Sequence, residues 1–185
     1  VVELAGDQRR VAYCEMLFRL PEEMEHDLTV QEVILSLERN NNVHLIDQLM
    51  LRKAIELLRA SPDPQRRLGI NLSAISFGMT EHFDALTAQL RSLPEPLRRR
   101  LVVEITETAI IEKPELWSMK LQQLRDLGLQ IAIDDFGVGF ASIAYLFRFQ
   151  ADYLKLDLSY SQRLHDSNVD ALVQFLLSYG AHNDC

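Results

Sequence analysis

The chain has 185 residues with 48% hydrophobic and 25% charged side chains, a composition that predicts one globular domain with a hydrophobic core. Its net charge of −8 argues against general binding to DNA or RNA, because such binding needs a basic face. Two cysteines give no disulfide framework and favour a reducing compartment. The lack of an apolar run of about 18 residues excludes a spanning helix and predicts no membrane contact from this segment.

Short apolar runs alternate with helical patterns along the chain, which begins at Val1 and is therefore expected to belong to a longer or processed protein. In chain order we predict a strand at Arg10–Leu20, a helix through Val30, Val33, Ile34 and Leu37, a longer helix through Leu45–Leu58, a strand at Leu68–Ala74, a helix at Glu81–Leu93, a strand at Leu101–Thr106, a helix from Pro114 to Leu127, a strand at Leu129–Asp134, a short helix at Ala141–Phe149, a strand at Tyr153–Leu158 and a helix at Leu164–Tyr179.

Proline and glycine mark the ends of two of these helices. Pro114 lies in the first turn of its helix and Gly128 follows the last turn, while Gly180 is the predicted end of the final helix. Strands that alternate with helices predict βαβ units and a parallel sheet. Two architectures stay open: an open five-stranded sheet, or a (β/α)₈ barrel cut short, since that barrel typically needs about 250 residues.

Polar side chains occur late in every predicted strand. They are Glu15, Asn71, Glu104, the pair Asp134 and Asp135, and finally Lys155 and Asp157. In a parallel sheet with right-handed crossovers the carboxyl ends of the strands share one rim, where α/β folds build their sites. We therefore expect these side chains to converge on a functional site.

The acids and the amide of this set are hard oxygen ligands, and no cysteine or histidine joins them. Such donors favour Mg²⁺, Mn²⁺ or Ca²⁺ over structural zinc. Because the acids carry more charge than one divalent ion neutralises, two ions are expected, an arrangement typical of phosphoester cleavage. Lys155 would orient the attacking water or balance charge.

Five short motifs follow one another in the order of the predicted strands. They are Glu15-Met16-Leu17, Asn71-Leu72-Ser73, Glu104–Thr108 (EITET), Asp134–Phe140 (DDFGVGF) and Asp152–Asp157 (DYLKLD). Together they resemble the EAL family of bacterial cyclic-di-GMP phosphodiesterases, with Met16 in place of the signature alanine. The resemblance covers residues 1–185 as one incomplete EAL domain, and the last three strands of the barrel are expected beyond 185.

The resemblance implies a TIM-like barrel that hydrolyses cyclic di-GMP to linear pGpG. It implies two bound ions, Mg²⁺ or Mn²⁺, and inhibition by Ca²⁺. It assigns catalytic roles to Glu15, Lys155 and Asp135. It assigns metal binding to Glu15, Asn71, Glu104, Asp134 and Asp135. It assigns substrate binding to Arg19 and Leu17, and support of the loop Asp135–Ser142 to Glu107. It also implies a homodimer, a fused or associated sensory or GGDEF domain, and a location in the cytoplasm, either free or as part of a membrane-anchored protein.

Two functions from different classes stay open. Every motif residue to which the resemblance assigns a role is intact, which favours an active phosphodiesterase. The alternative is an inactive cyclic-di-GMP receptor or protein-interaction module. Its support is the short acidic segment between Arg19 and Val30 and the end at Cys185, before a further metal-binding Glu of the family.

Overall fold

The structure is a computed structural model that describes residues 1–5, 8–24, 28–137, 149–163 and 165–183. Its elements are β1 (Val2–Ala5), β2 (Gln8–Val11), β3 (Cys14–Met16), α1 (Val30–Arg39), α2 (His44–Ala60), β4 (Leu68–Asn71), α3 (Ala74–Gly78), α4 (Thr80–Arg91), α5 (Glu95–Arg98), β5 (Leu101–Thr106), α6 (Glu107–Glu112), α7 (Pro114–Asp126), β6 (Gln130–Phe136), β7 (Tyr153–Leu156), α8 (Leu158–Ser161) and α9 (Ser167–Asn183).

The predicted first strand, Arg10–Leu20, is wrong as a single element. Its first part belongs to β2, which pairs antiparallel with β1, and its middle forms β3, which pairs parallel with β4. The chain passes from the small hairpin to β3 through Ala12 and Tyr13, where no glycine or proline marks a break in the sequence. Residues 17–20 are not part of a strand.

The main sheet of the described residues is parallel and has the order β3-β4-β5-β6-β7. Each strand lies beside the next one in sequence, so the order never reverses as it does in an open doubly wound sheet. Sequential parallel strands joined by helices are the arrangement of a TIM-like barrel. The sheet curls into a half-barrel, which confirms the barrel alternative of the sequence analysis.

The two faces of the curled sheet carry different residues, because side chains alternate along each strand. The outer face packs against the helices in the main hydrophobic core, which includes Leu68, Ile70, Leu101, Val103, Ile105, Ile131 and Ile133. A separate cluster of Tyr13, Val102 and Ala132 lies on the inner face. Two residues further along their strands on this same face come Glu15, Glu104 and Asp134, so the fold aims the predicted acids into the half-barrel.

The helices confirm most of the predicted pattern. Pro114 begins α7, and Gly128 follows it with φ +89°, a conformation that favours glycine. The predicted stop at Gly180 is wrong, because α9 continues to Asn183. Burial of Leu176 and packing of Tyr179 against the core hold the last turns of this helix. The predicted helix Ala141–Phe149 lies outside the described residues except for Phe149.

Within the described part of the chain, none of the helices has the length and apolar character needed to cross a membrane.

Candidate functional site

The side chains at the carboxyl ends of the strands meet around the ammonium group of Lys155. Lys155 Nζ donates to Glu15 Oε2 at 3.1 Å and to Asp134 Oδ2 at 2.8 Å, and it also donates to Glu104 Oε2. We call these four residues the rim cluster. Its members come from β3, β5, β6 and β7, so residues far apart in sequence are brought together by the curl of the sheet.

Asn71 joins the rim cluster from β4, the strand between β3 and β5. Its Nδ2 donates to Glu15 Oε1 at 3.1 Å, which fixes the orientation of that carboxylate. Strand register explains the contact, since Glu15 pairs with Gly69 and Asn71 pairs with Glu104. The structure therefore brings together five of the residues that the strand-end pattern singled out.

The donor set of the rim cluster fits a hard divalent cation. Glu15, Glu104 and Asp134 each offer a carboxylate oxygen, and these oxygens lie within 4.8 Å of one another. Glu104 is fully buried, and the other two acids are partly buried. Three carboxylates facing one ammonium group leave an excess of negative charge, which a Mg²⁺ or Mn²⁺ ion would compensate.

The electrostatics of the rim cluster follow from burial and from Lys155. Burial raises the pKa of Glu104, and the hydrogen bond and charge of Lys155 offset only part of that rise. Burial also acts to raise the pKa of Glu15, but hydrogen bonds from Asn71 and Lys155 outweigh it and lower that pKa. Although burial acts to lower the pKa of Lys155, its bonds to Asp134 and Glu104 raise it, so the ammonium group keeps its proton.

The paired aspartates have different environments. The pairing of β6 with β7 shifts register between Ile133 and Phe136, and Asp135 has φ +52°, in the left-handed region. This bulge separates two neighbouring side chains: Asp134 lies in the rim cluster, whereas Asp135 is exposed and stands outside the group of three acids. Burial, followed by the charges of Asp134 and Asp157, raises the pKa of Asp135.

Glu107, the first residue of α6, holds the start of the segment that follows β6. It is buried, with 3% of its surface exposed, and its Oε2 accepts a hydrogen bond from the Gly137 backbone N–H at 2.5 Å. The Gly137 carbonyl accepts from the Tyr160 hydroxyl at 2.8 Å, so both backbone polar groups of this glycine are held. The rest of the loop predicted to depend on Glu107, residues 138–142, lies outside the described residues.

The two predicted substrate-binding residues lie beyond β3. Leu17 is 52% exposed, and the exposed guanidinium of Arg19 donates to the Phe18 carbonyl at 3.1 Å. Neither is among the residues that contact Lys155. Asp157, also named from the strand-end pattern, caps α8 by accepting from the Ser159 N–H at 2.8 Å.

Sequence reasoning missed two residues next to this site. Asp47 of α2 is buried and accepts from the backbone N–H and the hydroxyl of Ser73, which holds the turn after β4. Tyr13 lies under the rim cluster on the inner face. Tyr13 could have been found from its position two residues before Glu15, which places both side chains on one face of the sheet. The sequence carries no comparable signal for Asp47.

Three relatives illustrate what the chain is similar to. It is 28% identical over 161 residues to the cyclic di-GMP phosphodiesterase PdeA of Borreliella burgdorferi, covering 86% of this chain and 24% of that protein. It is 34% identical over 145 residues to the cyclic di-GMP phosphodiesterase PdeB of Shewanella oneidensis, covering 77% of this chain and 17% of that protein. The solved structure of the PaMucR phosphodiesterase in complex with c-di-GMP, from Pseudomonas aeruginosa, matches with a TM-score of 0.71 and 29% identity, covering 85% of this chain and 69% of that one.

The chain thus spans about a quarter or less of the length of these curated relatives. The model of the EAL domain matches residues 4–184, almost the whole sequence. With the half-barrel and the strand-end acids already in place, this match shows that the chain belongs to the EAL domain family.

Proposed function

We propose that this domain hydrolyses cyclic di-GMP to linear pGpG in a reaction that depends on divalent cations. The observation that carries the proposal is the meeting of three carboxylates from three different strands within 4.8 Å. Relatives that share the family are named as cyclic di-GMP phosphodiesterases, which supports the choice of substrate.

In this proposal Glu15, Asn71, Glu104 and Asp134 hold the first cation, and Asp135 serves a second one from the edge of the rim cluster. Cations bound there would neutralise charge on the phosphate oxygens and make a water molecule more acidic. The preferred ions are Mg²⁺ and Mn²⁺, because the donors are hard oxygens. Ca²⁺, which is larger and tolerates irregular coordination, is expected to inhibit.

Lys155 takes the role of a hydrogen-bond donor. Its carboxylate neighbours raise its pKa, so at neutral pH it stays protonated and cannot act as a general base. It can donate to the attacking water or to a phosphate oxygen. Arg19 is proposed to contact a substrate phosphate through its planar guanidinium, with Leu17 beside it at the exposed end of β3.

The test is separation by chromatography of cyclic di-GMP and pGpG after incubation with the purified chain and Mg²⁺, Mn²⁺, Ca²⁺ or EDTA. We expect pGpG with Mg²⁺ or Mn²⁺ and none with Ca²⁺ or EDTA. Glu15→Ala should abolish the product. The matched control is Glu56→Ala, which removes an exposed glutamate that pairs with Lys53 on the surface of α2. Equal turnover by the two variants would contradict the role given to Glu15.

Binding of cyclic di-GMP without turnover in any of these ions would instead support the receptor function. The homodimer, the fused or associated sensory or GGDEF domain and the cytoplasmic location stay predictions. Whether the chain forms a homodimer can be measured by light scattering on the purified chain.

A further inference from the structure

Tyr13 fills the inner face of the half-barrel directly below the rim cluster. Its side chain is 1% exposed, and its ring lies against the ring of Tyr153 with 5.0 Å between centroids at an angle of 54°. Because it precedes Glu15 by two residues, it points to the same face of the sheet as that acid. A large aromatic side chain with a hydroxyl group is thus enclosed beneath a group of carboxylates.

Two buried polar atoms within the described part of the chain lack a hydrogen bond: the Tyr13 hydroxyl and Glu104 Oε1. A buried carboxylate oxygen without a donor destabilises the folded state, so such a pair calls for an explanation. Burial is the largest cause that raises the pKa of Tyr13, and the negative charge of Glu104 is the next. One atom is a donor and the other an acceptor.

Gly69 of β4 leaves room for both the Tyr13 ring and Glu104 Oε1. A Cβ atom built on Gly69 would lie 2.5 Å from Tyr13 Cε2 and would also collide with Glu104 Oε1. The missing side chain of Gly69 therefore leaves a gap that both groups border. Lys155 contacts the other oxygen of the Glu104 carboxylate, Oε2, so Oε1 is the oxygen left for a donor beside Gly69.

We propose that Tyr13 is a positioning residue whose hydroxyl donates to Glu104 Oε1 and thereby directs Oε2 into the rim cluster. With Oε1 held from below, Oε2 faces Glu15 and Asp134, where the cation of the proposed function would bind. The role of Tyr13 in metal binding rests on that proposed function, whereas its hydrogen bond to Glu104 does not.

The first test measures Mn²⁺ affinity without nucleotide, from the electron paramagnetic resonance signal of free Mn²⁺. Tyr13→Phe keeps the ring and removes the hydroxyl, and we expect the affinity to fall about 10- to 100-fold, as is typical when a partner of a metal ligand is lost. Tyr153→Phe is the matched control. Its hydroxyl lies on the same face but accepts from Arg67 at 3.0 Å and donates to Gln130 at 3.3 Å. It should leave the affinity unchanged.

The second test needs no metal and uses Raman difference spectra between the parent and Tyr13→Phe. The tyrosine bands that disappear should have the intensity ratio of a strong hydrogen-bond donor. A ratio typical of a free hydroxyl would overturn the proposal, as would an Mn²⁺ affinity of Tyr13→Phe within twofold of the parent. If the parent binds no Mn²⁺, the metal-dependent function fails, and the Raman bands alone decide whether Tyr13 donates to Glu104.

A third variant checks that the effect depends on the gap beside Gly69. Gly69→Ala places a methyl group against the Tyr13 ring and Glu104, so it should weaken Mn²⁺ binding although it removes neither hydroxyl nor carboxylate. Circular dichroism is recorded for each variant. Folded Gly69→Ala with parental Mn²⁺ affinity would contradict the proposed geometry.

Discussion

Lys155 is the positive charge that holds three carboxylates together, and its removal tests how the rim cluster is built. Lys155→Met keeps the length of the side chain and removes the group that contacts Glu15, Glu104 and Asp134. The ligand oxygens of these acids lie within 4.8 Å of one another. Two unit charges at that separation repel by about 3.5 kcal/mol at an effective dielectric constant of about 20.

The variant can relieve part of this repulsion by taking up a proton. Glu104 is the group expected to take it, because burial already raises its pKa. Removing one partner of a buried ion pair typically costs about 3–5 kcal/mol, and we expect that loss in the free energy of unfolding at pH 7 without divalent cations. Because the pKa of Glu104 is higher in the folded than in the unfolded state, protonation of this carboxyl group contributes stability. That stability is fully present below the unfolded-state pKa and is lost as pH rises through the folded-state pKa. The deficit of Lys155→Met should therefore shrink as the pH is lowered.

The assay is urea denaturation followed by circular dichroism in EDTA at pH 7 and pH 5, and then with Mn²⁺. Saturating Mn²⁺ should restore most of the loss, since the cation replaces the missing ammonium charge and binds only the folded state. The control is Lys53→Met, which breaks an exposed pair with Glu56 and should cost less than about 1 kcal/mol. Similar losses in both variants would refute the view that Lys155 neutralises the acids.

Three further substitutions test single contacts by urea denaturation. Gly137→Ala should destabilise the chain by about 1–3 kcal/mol, because φ is +100° and a Cβ would lie 2.5 Å from the Tyr160 ring, whereas Gly78→Ala, with open space around it, should not. Lys120→Met should lower the free energy of unfolding by about 2–3 kcal/mol, because this buried ammonium group donates to the carbonyls at the end of α3. A loss below about 0.5 kcal/mol would show that those hydrogen bonds are unimportant. Burial raises the pKa of Asp47 in the folded state, so its carboxyl group stabilises the fold below the unfolded-state pKa, and this stability is lost as pH rises. Asp47→Asn should remove this pH dependence of the free energy of unfolding between about pH 4 and 7. Parallel pH profiles of parent and variant would contradict it.

The rim cluster could be predicted from the sequence because two simple periodicities act together. Side chains alternate along a strand, and parallel strands with right-handed crossovers end at the same rim. A polar residue late in each apolar run must then either face solvent or join its counterparts. Glu15, Asn71, Glu104, Asp134 and Lys155 do the latter.

The start of the sheet could not be predicted, because no glycine, proline or other turn-forming residue separates β2 from β3. Residues 8–11 pair antiparallel with β1, whereas Cys14–Met16 pair parallel with β4, and nothing in the composition of Arg10–Leu20 separates the two. The end of α9 was mistaken for a different reason. Glycine within a helix costs about 1 kcal/mol relative to alanine, which the burial of one leucine side chain can outweigh. Tertiary packing of Leu176 thus overrides the local stop signal of Gly180.

The adjacent aspartates show why a correct motif still leaves the geometry undecided. In a regular strand Asp134 and Asp135 would point to opposite faces, and Asp135 would be driven into the apolar layer between sheet and helices. The bulge in β6 adds one residue, lets Asp135 adopt φ +52° at the exposed edge, and returns Phe136 to the buried outer face. A single local irregularity therefore keeps both carboxylates near the rim, one inside the group of three acids and one beside it.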